Sequence, residues 1–197
     1  MKKIADILTN YIIKQNAISR DEYVIYNYGF RVALEAATCF FSCLIIAAYM
    51  NQVNNYVIFL LIFFPLRSFV GGIHMKHFAS CYILSCIVVW GVLALSAIIN
   101  LPTITITSMA FIETLVLLII APVDNKNRPI SCDEFIIFSK KTKVILANIL
   151  LGIVILYILK QYELIITAML TLFSIIVSLI CGKIQNYIYS FNIENKG

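Results

Sequence analysis

Charge is scarce in this sequence: only 13% of its 197 residues are Asp, Glu, Lys or Arg, and only 10 are acidic. A soluble domain carries about a quarter charged residues, so a soluble enzyme and a disordered chain are both excluded. The six cysteines form no disulfide-stapled module and no paired zinc spacing, and there is no H-E-x-x-H motif. Nor is there a Ser-centred elbow, a phosphate-binding loop, a nucleic-acid-binding motif, an internal repeat or a low-complexity segment. Histidine is nearly absent, with two in the whole chain.

What is present is apolar. AVILMFWYC residues make up 61% of the chain, and the mean hydropathy is +0.94. Leu, Ile, Phe and Val recur in blocks near the ~20 residues that cross a ~30 Å hydrocarbon core. The composition defines a small all-α polytopic membrane protein, one domain over residues 1–197 with nothing left for a soluble one. Six spans are expected: Val32–Met50, Asn54–Val70, Ser80–Ile99, Ile104–Pro122, Lys143–Lys160 and Glu163–Gly182. The second is weakest, because its uninterrupted apolar run, Tyr56–Leu66, covers only about 17 Å as a helix and must continue past Arg67. Asp6, Thr9, Asn10, Lys14 and Gln15 interrupt the N-terminal stretch, so a cleavable signal is not expected. Ile4, Leu8, Tyr11 and Ile12 recur at helical spacing, and residues 1–28 read as an amphipathic interfacial helix. Residues 32–182 are the bundle and 183–197 a cytoplasmic tail.

Charge bias orients the chain. Six crossings place Lys2, Lys3, Lys14, Arg20, Arg31, Arg67, Lys76, Lys126, Arg128, Lys140, Lys141, Lys143, Lys183 and Lys196 on one face and Lys160 alone on the other. A re-entrant second segment would move the basic stretch from Val123 to Thr142 outside. Six spans with both termini in the cytoplasm of a cell-membrane protein fit the rule. The two larger connections, Arg67–Ala79 and Val123–Thr142, then also face the cytoplasm. Topology and anionic lipid explain this basic surface better than nucleic acid does.

The densest chemistry is the run from Arg67 to Cys81, which contains Gly71, Gly72, His74 and His77. A thiol near an imidazole is the minimum for cysteine catalysis, and Gly71-Gly72 can break the helix to bring backbone N–H groups to an oxyanion. Arg67 either helps there or anchors the span. On a straight helix His74 and Cys81 share a face about 10.5 Å apart, whereas His77 and Cys81 are neighbours within about 6 Å, so helical spacing alone favours His77. A metal site on His74, His77 and Cys81, with Cys132, a water or a carboxylate as fourth ligand, is a rival reading. A packing cysteine beside interfacial histidines is the bland one. The remaining cysteines read as structural, although Cys132 lies in the basic loop. Within the spans stand Glu35, for which Arg31 is a ready partner one turn earlier, and Glu113, which has none. Glu113 supports an alternative function, a small proton-coupled transporter or peptide exporter.

Arg67, Gly71-Gly72-Ile-His74 and Cys81, followed by Ala121-Pro122-Val-Asp-Asn-Lys-Asn-Arg-Pro129, make the chain resemble the accessory gene regulator B (AgrB) family of membrane cysteine endopeptidases over nearly its whole length. The resemblance implies that Cys81 is the nucleophile and His74, not His77, its base, with Arg67, Gly71 and Gly72 in support and no cofactor or metal. It also implies quorum-sensing chemistry. The tail of a short AgrD-like autoinducing-peptide precursor is cleaved through an acyl-enzyme thioester, and the precursor's own Cys closes a thiolactone. Such precursors often end in an acidic tail, which Lys126, Arg128, Lys140, Lys141 and Lys143 suit; the same cations also enforce topology. A homodimer is a further implication.

Overall fold

The computed structural model of the chain describes residues 1–71, 78–121 and 132–194. They are mainly helical, with no strand among them, beginning with α1 (Lys2–Lys14) and a 3-10 turn (Arg20–Glu22). Six long helices follow: α2 (Tyr23–Tyr49), α3 (Val53–Val70), α4 (Phe78–Ile98), α5 (Thr103–Ile120), α6 (Cys132–Ile158) and α7 (Tyr162–Glu194). Each is long and apolar enough to cross a membrane, which makes this a multi-pass membrane protein with the expected six spans. The second span runs unbroken through Pro65 and past Arg67 to Val70.

The first 28 residues are not one helix. α1 stops at Lys14, and Asn16 takes a left-handed φ of 55° that closes its C-terminus, with the Ala17 N–H donating to the Ile12 carbonyl. The Glu22 carboxylate then accepts from both the N–H and the hydroxyl of Ser19 (2.9 and 3.0 Å), and this cap starts the run into α2. Residues 23–28 therefore belong to the first span helix. α1 folds back on α2 through a polar latch: Asp6 Oδ1 accepts from the Tyr23 hydroxyl (3.0 Å) and the Asn27 amide (2.8 Å). Ala5 and Thr9 are buried beneath it. Ile4, Ile7 and Tyr11 remain exposed along α1, an apolar stripe suited to a lipid interface.

A second difference concerns length. α2, α6 and α7 exceed their apolar spans by residues 23–31, 132–142 and 183–194. The presumed tail after Gly182 is a continuation of α7, since no proline or capping signal interrupts it. All three extensions lie at the end of the bundle that carries the two larger connections.

At the other end the turns are tight. Asn51 and Lys160, each at φ 57°, close α2 and α6 with bonds that reach five residues back, Gln52 N–H to Ala47 carbonyl and Gln161 N–H to Leu156 carbonyl, both 2.9 Å. Beside them the buried Asn55 amide donates to Glu163 Oε1 (3.0 Å) and more weakly to Ser96 Oγ (3.4 Å) and Gln52 Oε1 (3.3 Å). This clasp ties α3, α4 and α7 together.

α7 is the centre: 56% of its span is buried, against 11% for α2 at the periphery. It packs on α3, α5, α4 and α6 through Ile165, Ala168, Met169, Leu172, Ile175 and Leu179. Facing stripes come from α3 (Tyr56, Phe59, Ile62, Leu66, Val70) and α5 (Ile106, Ala110, Leu117), repeating at helical spacing. Outward residues such as Phe64 and Ile119 are equally apolar and exposed, as lipid-facing positions are.

Candidate active site

Arg67, Gly71 and Cys81 lie where α3 ends and α4 begins. α3 stops at Gly71, whose φ of 87° is a conformation that favours glycine. The Arg67 guanidinium, one turn back, donates to the Gly71 carbonyl and so holds that helix end. Cys81 lies in the first turn of α4 and is exposed. Backbone N–H groups in a first turn have no intrahelical acceptor and suit negative charge. Arg67 stands within electrostatic range of the Cys81 sulfur. The Ser85 hydroxyl donates to the Cys81 carbonyl at 2.9 Å, and Tyr82 donates to Ser42 Oγ at 2.9 Å, pinning this start of α4 to α2.

Gly72, His74, Lys76, His77, Lys126 and Arg128, and the side chain of Cys132, lie outside the described residues. Among the described residues, then, the fold brings Cys81 near Arg67. No group of three or more His, Cys, Asp or Glu side chains suited to a metal occurs among them.

Of the expected substrate cations, Lys140, Lys141 and Lys143 are exposed on the first turns of α6. Two residues to which the sequence reading gave no role join them to the site. Phe69 of α3 and Phe138 of α6 meet edge to face, with centroids 5.7 Å apart, and Lys141 Nζ lies 5.0 Å from the Phe69 ring centre. The aromatic pair brings the basic end of α6 beside the helix end that holds Arg67. Its members are distant in sequence, so no local pattern reveals it.

The other carboxylates fall as their neighbours suggest. Arg31 pairs with Glu35 at 3.0 Å. Glu113, in the middle of α5, has its Oε2 enclosed without a hydrogen-bond partner among the described residues. Cys43 is buried, while Cys39 and Cys86 are half-buried, placing these three in the packing between α2 and α4.

An all-α bundle of six spans, with an accessible thiol at a helix start and a basic rim at the same end, defines a polytopic membrane protein with its polar chemistry at one face. The chain belongs to the accessory gene regulator B (AgrB) family, whose model matches residues 5–191. No curated protein matches the chain, and neither does any solved structure.

Proposed function

We propose that this chain is a membrane-embedded cysteine endopeptidase that processes an autoinducing-peptide precursor for quorum sensing, at the cytoplasmic face of the cell membrane. The observation that carries the reading is the exposed Cys81 in the first turn of α4, at the bundle end that also presents Arg67 and the basic start of α6. AgrB family membership supports an AgrD-type precursor as substrate.

The chemistry runs as acyl transfer. His74 takes the Cys81 thiol proton, and the sulfur attacks the scissile carbonyl. Arg67 and the N–H groups around Gly71-Gly72 and the α4 start stabilise the oxyanion. As the tetrahedral intermediate collapses, His74 returns the proton to the leaving amine. The C-terminal tail departs, and the remainder is held as a Cys81 thioester. The precursor's own cysteine thiolate then attacks that thioester, closing a thiolactone and releasing the Cys81 thiolate. One thioester replaces another, so acyl activation survives if water is kept away. Lys126, Arg128, Lys140, Lys141 and Lys143 attract the acidic tail.

The test is reconstitution in proteoliposomes with a cognate precursor. Cys81→Ala abolishes cleavage and the thioester adduct; undiminished cleavage in that variant would sink the reading. A second reading, proton-coupled transport, is favoured by the enclosed, unpartnered Glu113 Oε2. Flux in sealed vesicles that persists in Cys81→Ala and is lost in Glu113→Gln selects it.

A further inference from the structure

The corner where α1 turns back toward α2 holds a cavity of about 770 Å³ that the peptidase reading leaves unused. Two cations stand in its wall, Lys14 from the last turn of α1 and Arg20 from the 3-10 turn, together with the amides of Asn10 and Asn16. The left-handed backbone at Asn16 reverses the chain and so brings Lys14 and Arg20 to one cavity. All four side chains are exposed, and they make no hydrogen bond or ion pair among the described residues. No acidic side chain lines the cavity. Asp6 is occupied by Tyr23 and Asn27, and Glu22 by Ser19; Asp21 is exposed and no part of the wall.

Aromatic side chains fix the depth of this corner. Tyr23, Tyr26 and Tyr28 crowd one end of α2 and Tyr49 closes the other, the placing that membrane interfaces favour. From Tyr28 to Tyr49 is about 32 Å of helix, close to the ~30 Å of a hydrocarbon core. Tyr23 is then about 7.5 Å further out, in the headgroup layer, and the cavity that it helps to line is level with lipid phosphates. Apolar surface continues beside it. Val24, Ile25 and Tyr28 are exposed on α2, and Ile4, Ile7 and Tyr11 on α1.

We infer that this corner binds the phosphate-bearing headgroup of one anionic glycerophospholipid, with phosphatidylglycerol as the simplest match. A phosphodiester brings one negative charge and several acceptor oxygens. The Arg20 fork suits two of those oxygens, and Lys14 serves as a point charge. Glycerol hydroxyls donate and accept, as the carboxamides of Asn10 and Asn16 do. A choline lipid carries the same phosphate, but its quaternary ammonium finds two cations and no carboxylate in the wall. Free phosphate carries the charge without acyl chains to lie along Val24 and Tyr28. A lipid held here ties α1 to the start of α2 from the membrane side, beside the Asp6 latch. The inference does not depend on the peptidase reading.

The test is lipid retention by the full-length chain. The protein in detergent is titrated with phosphatidylglycerol, phosphatidylcholine or inorganic phosphate, and bound molecules are counted by native mass spectrometry. The wild type retains one phosphatidylglycerol in preference to phosphatidylcholine, and excess inorganic phosphate does not displace it. Lys14→Ala and Arg20→Ala each weaken retention about fivefold, the worth of one cation at an anionic surface. Lys2→Ala combined with Lys3→Ala takes twice that charge from the other end of α1 and leaves retention unchanged. Circular dichroism checks the helicity of each variant. A phosphatidylglycerol with a photoreactive headgroup needs no variant, and it labels the wild type between Asn10 and Tyr23. Equal retention of phosphatidylcholine, an equal loss in the Lys2 and Lys3 variant, or labelling confined to other helices overturns the inference. Displacement by inorganic phosphate also overturns it, since the cavity then takes a free anion and not a lipid. Cleavage is read separately in Cys81→Ala, so failure of one reading is distinct from failure of the other.

Discussion

Lys141 holds its ammonium 5.0 Å from the centre of the Phe69 ring, so one cation at the start of α6 is engaged with α3. Its exposed neighbours Lys140 and Lys143 have no such aromatic contact among the described residues, and the three lysines are expected to behave differently. Lys140→Ala and Lys143→Ala each raise KM for an acidic-tailed precursor about threefold, the scale of an exposed charge pair. The effect fades as salt shortens the Debye length. Lys141→Ala shares that rise in KM and in addition lowers stability by about 0.5–1 kcal/mol, as does Phe69→Leu. Cleavage kinetics against ionic strength, with parallel thermal melts, separate the two behaviours.

The proposed base is tested by comparison. His74→Ala is expected to slow single-turnover acylation of Cys81 by about 10²–10⁴-fold, the usual contribution of general acid–base catalysis. His77→Ala is expected to stay within a few-fold of wild type. Trapping the acyl-enzyme under single-turnover conditions reads the step directly, and equal losses in the two variants would defeat the assignment.

At the opposite end of the bundle, Asn55 joins three helices while only 3% exposed. Asn55→Ala takes from Glu163 Oε1 its 3.0 Å donor and is expected to cost about 1–3 kcal/mol. Asn55→Asp is expected to be worse, because it sets a second carboxylate beside Glu163. Unfolding in mild detergent, followed by circular dichroism, gives both values.

Lys160 takes a left-handed φ of 57° in the tight turn between α6 and α7. A residue with a Cβ pays roughly 1–2 kcal/mol for that conformation. Lys160→Gly is expected to recover about 1 kcal/mol of this, seen as a raised Tm. Cleavage should be unchanged, since the turn lies at the far end of the bundle from Cys81.

Much of this architecture was legible in the sequence, because hydrocarbon thickness turns each apolar block into a helix of nearly fixed length. Arg67 did not mislead: charge bias demanded a crossing through α3, and the helix runs through it to Val70. The polar helix ends were harder. Residues 132–142 and 183–194 carry no hydropathy signal, and only the lack of a breaker hints that α6 and α7 continue there. The break after α1 was readable in part, since Ser19 and Glu22 stand at capping-box spacing. The site divides in the same way. Gly71 was expected to interrupt the chain and does so with a positive φ, whereas Phe69 meets Phe138 only through tertiary packing.

The helix at the middle of the bundle, α7, is also the one synthesised after the other five. The parts of the inward stripes of α3, α4, α5 and α6 that pack on it stay uncovered until Ile165 to Leu179 arrives. A chain that stops before that stretch keeps the direct contacts of α2 with α4 and α3 with α6 but lacks the helix on which α3, α4, α5 and α6 converge. Assembly of the bundle is thus decided by the last of its six spans.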